Sequence, residues 1–156
     1  MVTAGTVLWF GQEQKTRFVD IAQCDRLPRL KGSDDLLGAI ELEIDGVLVL
    51  DRDLIDDIIG MWIIVARMVD DYRQGLEAKS AIPTQKIYFE LKPLPRGRVL
   101  VSVEGGGDRR AVAAGEEELL FALRFAGNEF FGKMEDLAGR YWPEERARLN
   151  AGSEFQ

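Results

Sequence analysis

Residues 40–50 read IELEIDGVLVL, and residues 54–72 read LIDDIIGMWIIVARMVDDY; the change of period between these two stretches decides the fold. In the first, Asp45-Gly46 sits between two β-rich runs. Asp-Gly tolerates the left-handed backbone that a two-residue type I′ turn demands, so a hairpin is expected. It should pair Ile44 with Val47 and Leu42 with Val49 on an apolar face. Glu41 and Glu43 then lie beside Leu50 and Leu48 on a mixed, partly solvated face.

In the second stretch the apolar residues recur at about 3.6. Leu54, Ile55, Ile58, Met61, Trp62, Val65, Val69 and Tyr72 share one side of a helix, with Asp56, Gly60, Arg67, Asp71 and Gln74 opposite. Asp53 is the expected N-cap, Asp56 and Asp57 suit the positive end of the helix dipole, and Gly75 is the expected stop. Ile63 and Ile64 fall off the stripe and widen it, which implies contact on more than one side.

Working outward, residues 6–22 contain two β-prone stretches, Val7–Phe10 and Arg17–Ala22, joined by a polar segment, and predict a further hairpin. Residues 23–35 lack periodicity and predict an exposed loop. Residues 85–114 alternate as a three-stranded meander, with turns at Pro93–Gly97 and Gly105–Asp108. A second helix is expected from Glu116 to Leu137, burying Leu119, Leu120, Leu123, Ala126, Phe130, Met134 and Leu137, with Gly127 allowing a close neighbour. Pro143 opens a short last helix ending at Leu149.

The expectation is therefore an α+β fold. An antiparallel sheet of about six to seven strands carries two long helices on one face, in the order ββββαβββα plus a short C-terminal helix. Residues 1–150 make a single domain and residues 151–156 a flexible tail.

Composition narrows the chemistry. The chain has no histidine and one cysteine, Cys24, so mechanisms that need an imidazole as base or ligand are excluded. A lone thiol makes no internal disulfide, and without a secretory signal the expected compartment is the cytoplasm. The longest apolar run, Ile58 to Ala66, falls far short of the roughly 20 residues of a membrane span. Twenty-seven acids against 20 bases give a net charge of −7, and the arginine pairs 26/29, 96/98 and 109/110 are placed so that they do not merge; nucleic acid is not an expected partner.

Three local features invite chemistry and each has a simpler explanation. Asp51, Asp53, Asp56 and Asp57 lack the spacing of a calcium loop and suit a helix start. Gly105-Gly106-Gly107 is followed by another strand, so a hairpin turn is expected and no phosphate cradle. Lys79-Ser80 are adjacent in a linker and do not face each other as a catalytic pair would. Neither cofactor nor metal is expected.

Phe121 and Phe125 resist such an explanation. They stand four residues apart, nearly opposite Leu123 and Phe130, where a helix lying on a sheet is normally polar. Either the N-terminal hairpin or the segment around Trp142 covers them, or they form an apolar patch for a partner or a homodimer. The function expected is non-enzymatic binding of another protein, a basic one, as a small acidic immunity or inhibitor protein of bacteria would do. The candidate contact residues are Phe121, Phe125, Glu41, Glu43, Asp34 and Asp35. Two other readings are a histidine-independent enzyme or small-molecule binder using carboxylates, Tyr72 or Tyr88, and a structural subunit of a homo- or hetero-oligomer.

Overall fold

A computed structural model describes residues 1–11, 17–30 and 35–152. The Asp45-Gly46 turn forms as its residues dictate, both in the left-handed region at φ 48° and 83°, and joins β3 (Leu37–Ile44) to β4 (Val47–Leu50). Ile44 pairs with Val47 and Glu43 with Leu48, but Leu42 pairs with Leu50. A bulge at Val49 replaces the expected Leu42–Val49 pair and lets both Val49 and Leu50 reach the core.

β1 (Val2–Trp9) lies antiparallel beside β3 from Val2 to Leu8, and β2 (Phe18–Asp20) pairs with the end of β1, Leu8 opposite Val19. A single 3-10 turn, Ile21–Gln23, follows. β5, only Asp56–Asp57, pairs with Leu37-Gly38 of β3 and completes the first sheet.

α1 begins at Ile58 and runs to Arg73, with Asp57 as its N-cap: the Asp57 carboxylate accepts from the Gly60 N–H at 3.1 Å. Asp53 was expected in that role. It sits instead in an Asx turn, its N–H donating to Asp51 Oδ1 at 2.9 Å, because the chain first makes the β5 bridge and turns helical only afterwards. Gly75, at φ 78°, ends the helix as expected.

After α1 a second antiparallel sheet has the order β6-β7-β8-β9, from β6 (Ala78–Ala81), β7 (Tyr88–Leu94), β8 (Arg98–Gly105) and β9 (Asp108–Gly115). Its glycine run is a two-residue hairpin turn, Gly106 at φ 61° and Gly107 at 82° between paired Gly105 and Asp108. α2 (Glu116–Ala138) ends on Gly139 in the left-handed conformation, and α3 (Pro143–Asn150) follows.

Among the described residues the strands thus number nine, in two sheets of five and four. β4 approaches β8 and β9 without a hydrogen-bonded ladder between them. The two extra strands are β5, too short to show a period, and β6, whose Ala-Lys-Ser-Ala gives no apolar alternation.

Both sheets and all three helices share one buried cluster. Trp62 of α1 is its pivot: it is fully buried, its ring lies 6.2 Å from that of Phe130 on α2, and its indole N–H donates to Thr6 Oγ1 on β1 at 3.1 Å. The first sheet turns Ile40, Leu42 and Ile44 inward and Glu41 and Glu43 outward. α2 lies on its inner side against β1.

α3 is clasped by both long helices. Arg148 donates to Asp70 at 3.0 Å and Asp71 at 3.3 Å, and Asn128 and Asn150 exchange side-chain hydrogen bonds at 2.8 and 2.9 Å. Arg124 donates to the carbonyls of Leu149 and Ala151 at 3.0 and 3.1 Å. Residues 151 and 152 of the expected tail therefore pack on the body; 153–156 lie outside the described residues.

Candidate functional site

Among the described residues nothing covers Phe121 and Phe125. They are 66% and 64% exposed and stack on each other with ring centroids 6.3 Å apart. Neither expected cover reaches them. Trp142 packs on Phe131 at 6.0 Å, and the N-terminal strand stops beside Glu118, whose carboxylate accepts from the Val2 N–H at 2.6 Å. The inner face of α2 is already filled by Leu119, Leu123, Ala126 and Phe130. Burying a phenylalanine is worth roughly 1.5 to 3 kcal/mol. The fold leaves that gain unrealised twice on one helix face.

The two rings border an open groove of about 870 Å³ between the start of α2 and the end of α3, lined also by Glu116, Glu117, Arg73, Arg124 and Asn128. Its charged groups are unequal. Arg73 donates to Asp70 at 3.0 Å, and Arg124 is committed to the α3 carbonyls. Burial, with Arg73 as a like-charged neighbour, holds the Arg124 guanidinium below its usual pKa.

Glu116 accepts from the Tyr72 hydroxyl at 2.9 Å, and burial together with this carboxylate pushes the Tyr72 pKa up to about 12. Tyr72 is thereby a held hydrogen-bond donor, unsuited to act as a base near neutrality. Tyr88, the other tyrosine considered for chemistry, is exposed on the second sheet with the Lys79 ammonium 5.5 Å from its ring centre.

The remaining candidates lie elsewhere. Glu41 and Glu43 point from the outer face of the first sheet, opposite the side on which α2 packs, and Glu41 accepts from Arg52 at 3.3 Å. Asp35 is exposed at the rim of a second recess, about 420 Å³, formed with Trp9, Phe10, Pro28, Leu30 and Leu37. Asp34 lies outside the described residues. The described candidates therefore do not converge on one site, and among them the phenylalanine pair borders the larger groove.

Three of the four aspartates before α1 have side-chain partners of their own, Asp57 being the helix cap. Asp56, 2% exposed, accepts from the Thr84 N–H and hydroxyl and from Gln85 Nε2, at 2.9–3.2 Å, tying the 82–85 segment to the helix start. Asp51 pairs with Arg110 at 2.6 Å. Among the described residues no three His, Cys, Asp or Glu side chains stand together in a way that could hold a metal ion. Cys24 is buried and its thiol pKa is pushed up by that burial, with Lys133 offsetting only part of the rise. Ser80 Oγ donates to the Ala81 carbonyl at 3.0 Å while neighbouring Lys79 reaches over Tyr88, so the two make no catalytic pair.

Sequence reasoning missed Glu117 and Glu129. With the phenylalanines they form an unbroken i+4 series, Glu117-Phe121-Phe125-Glu129, which a search along helix ridges would have found.

The class that emerges is an α+β protein of two antiparallel sheets and three helices with an aromatic face on its second helix. Compared with known proteins, the chain has no significant match to a family model, a curated protein or a solved structure. No helix among the described residues is long and apolar enough to cross a membrane.

Proposed function

We propose that this protein is a non-enzymatic interaction module that docks a basic protein on the Phe121/Phe125 face of α2, acting as an inhibitor or immunity protein acts on a cationic target. The observation that carries this reading is the stacked phenylalanine pair, two-thirds exposed on a helix whose core-facing side is already complete. An apolar patch rimmed by polar groups is the usual anatomy of a docking site. The net charge of −7 would speed encounter with a positively charged partner.

The test compares wild type with the Phe121→Ser/Phe125→Ser double variant. Partners retained on each are identified, and the affinity of the purified pair is then measured. The variant should keep its unfolding midpoint within a few degrees and lose at least about tenfold in affinity, as expected when central aromatic contacts are removed. A large drop in midpoint would mean that the rings hold the fold, and an identified partner binding both forms equally would sink the reading.

A further inference from the structure

Resting on the docking reading above, we infer that the element received by α2 is an amphipathic helix of the partner, with an apolar centre flanked by two cations, and that a second copy of this chain is not the occupant. Glu117, Phe121, Phe125 and Glu129 follow one another every fourth residue along α2, and residues spaced by four form the ridge that packs into a neighbouring helix. The ridge spans about 18 Å from one carboxylate to the other, at about 1.5 Å per residue. Its aromatic centre is flanked on each side by a carboxylate, and the next residue along the row, Lys133, donates to the Cys24 carbonyl at 2.8 Å.

Among the described residues neither the Glu117 nor the Glu129 carboxylate has a hydrogen-bond or ion-pair partner. Glu116 and Glu118, by contrast, bond to Tyr72 and Val2. The arginines on the opposite wall are used by Asp70 and the α3 carbonyls.

A complementary ridge is a helix carrying Lys or Arg, two apolar residues and another Lys or Arg at the same four-residue spacing, crossing α2 at about −50°. Self-association fails on charge. A two-fold axis through the phenylalanine pair brings Glu117 against Glu129 of the other copy when the helices run antiparallel, and Glu117 against Glu117 when they run parallel. Anionic lipid and nucleic acid meet the same carboxylates and are repelled.

The probe is a synthetic 21-residue alanine-rich helix with Lys at positions 4 and 16 and Leu at positions 8 and 12, titrated into the isotopically labelled full chain and followed by amide shifts. Shifts should cluster on residues 117–129. Binding should weaken about threefold to tenfold for Glu117→Gln/Glu129→Gln, by the strength of two exposed ion pairs, and comparably when both peptide lysines are replaced by glutamate. Phe121→Ser/Phe125→Ser should abolish it.

If the phenylalanine variant loses binding while the glutamine variant does not, docking on this face stands and the flanking cations are refuted. Binding that depends on the glutamates alone refutes the docking reading itself. Absence of shifts on this ridge overturns the proposal, as does a wild-type dimer in sedimentation that the phenylalanine substitutions dissolve.

Discussion

Two glycines of α2 show how one residue type serves opposite ends. A Cβ on Gly127 would lie 2.5 Å from Leu149 Cδ2 and 3.1 Å from the Trp62 ring, both fully buried, whereas a Cβ on Gly132 would meet no atom within 4 Å. Gly127 is the notch through which α3 seats its only buried side chain, Leu149. Alanine at 127 forces that leucine and the tryptophan apart, an overpacking cost of about 1 to 3 kcal/mol that outweighs a gain of up to about 1 kcal/mol in helix propensity. Gly127→Ala should therefore lower the denaturant midpoint. Gly132→Ala should raise it, by about 0.5 to 1 kcal/mol, and equal behaviour of the two would refute the notch. That Gly127 permits close approach could be read from its place among apolar neighbours; that Leu149 fills the gap could not, since the two residues are 22 apart in the chain and meet only through tertiary packing.

At the scale of elements, the least self-sufficient piece is α3. Its eight residues are too few for an isolated helix to persist, and it is held by Asp70 and Asp71 of α1 through Arg148. Burial pushes the Asp70 carboxyl up, but hydrogen bonds from Gln74, Arg148 and Arg73 more than offset this and leave its pKa lowered from 3.8. A carboxylate lowered in the folded state stabilises it fully above the unfolded value, and the contribution is lost as pH falls through the folded one. Asp70→Asn should accordingly cost about 1 to 2 kcal/mol at pH 7, a figure reduced because Arg73 and Arg148 are over a third exposed. The gap from wild type should close as the pH drops below 3.8. A difference constant down to pH 2 would show that the ion pairs do not hold α3. The sequence displays α3 through Pro143 and its acidic first turn, yet offers no sign of what it leans on. The same limit moved the α1 cap from Asp53 to Asp57, because pairing of Asp57 with Leu37 and of Asp56 with Gly38 joins residues 20 and 18 apart, which no local pattern encodes.

For the whole molecule, the absence of histidine leaves few groups able to titrate near neutrality. Those that could move away from it: the Met1 ammonium, hydrogen-bonded to Asp45, is raised from 8.0, and the buried Cys24 thiol is raised from 9.0. Asp45, bonded to that ammonium, and Asp70 are lowered. Net charge should therefore change little between pH 6 and 8, and electrophoretic mobility measured across that interval should be nearly flat. A step in mobility there would reveal a shifted group that the geometry does not contain. By the same logic, association with a cationic partner should respond strongly to salt and little to pH.

Some of this protein was decided locally, because the causes are local. The turn at Asp45-Gly46 follows from two residues that accept left-handed backbone, the glycine run closes a hairpin because strands flank it, and the two long helices follow from apolar spacing that only a helix can gather on one side. The α+β class and the position of Phe121 and Phe125 on the wrong side of α2 were legible for the same reason. The division of the strands into two sheets, the bulge at Val49 and the anchoring of α3 were decided by contacts between residues far apart in the chain. So was the exposure of the phenylalanines. Periodicity states which side of a helix a residue occupies, but whether anything covers that side depends on where the remaining chain ends up, and here Trp142 goes to Phe131 and the N-terminal strand to Glu118, leaving the aromatic face to solvent.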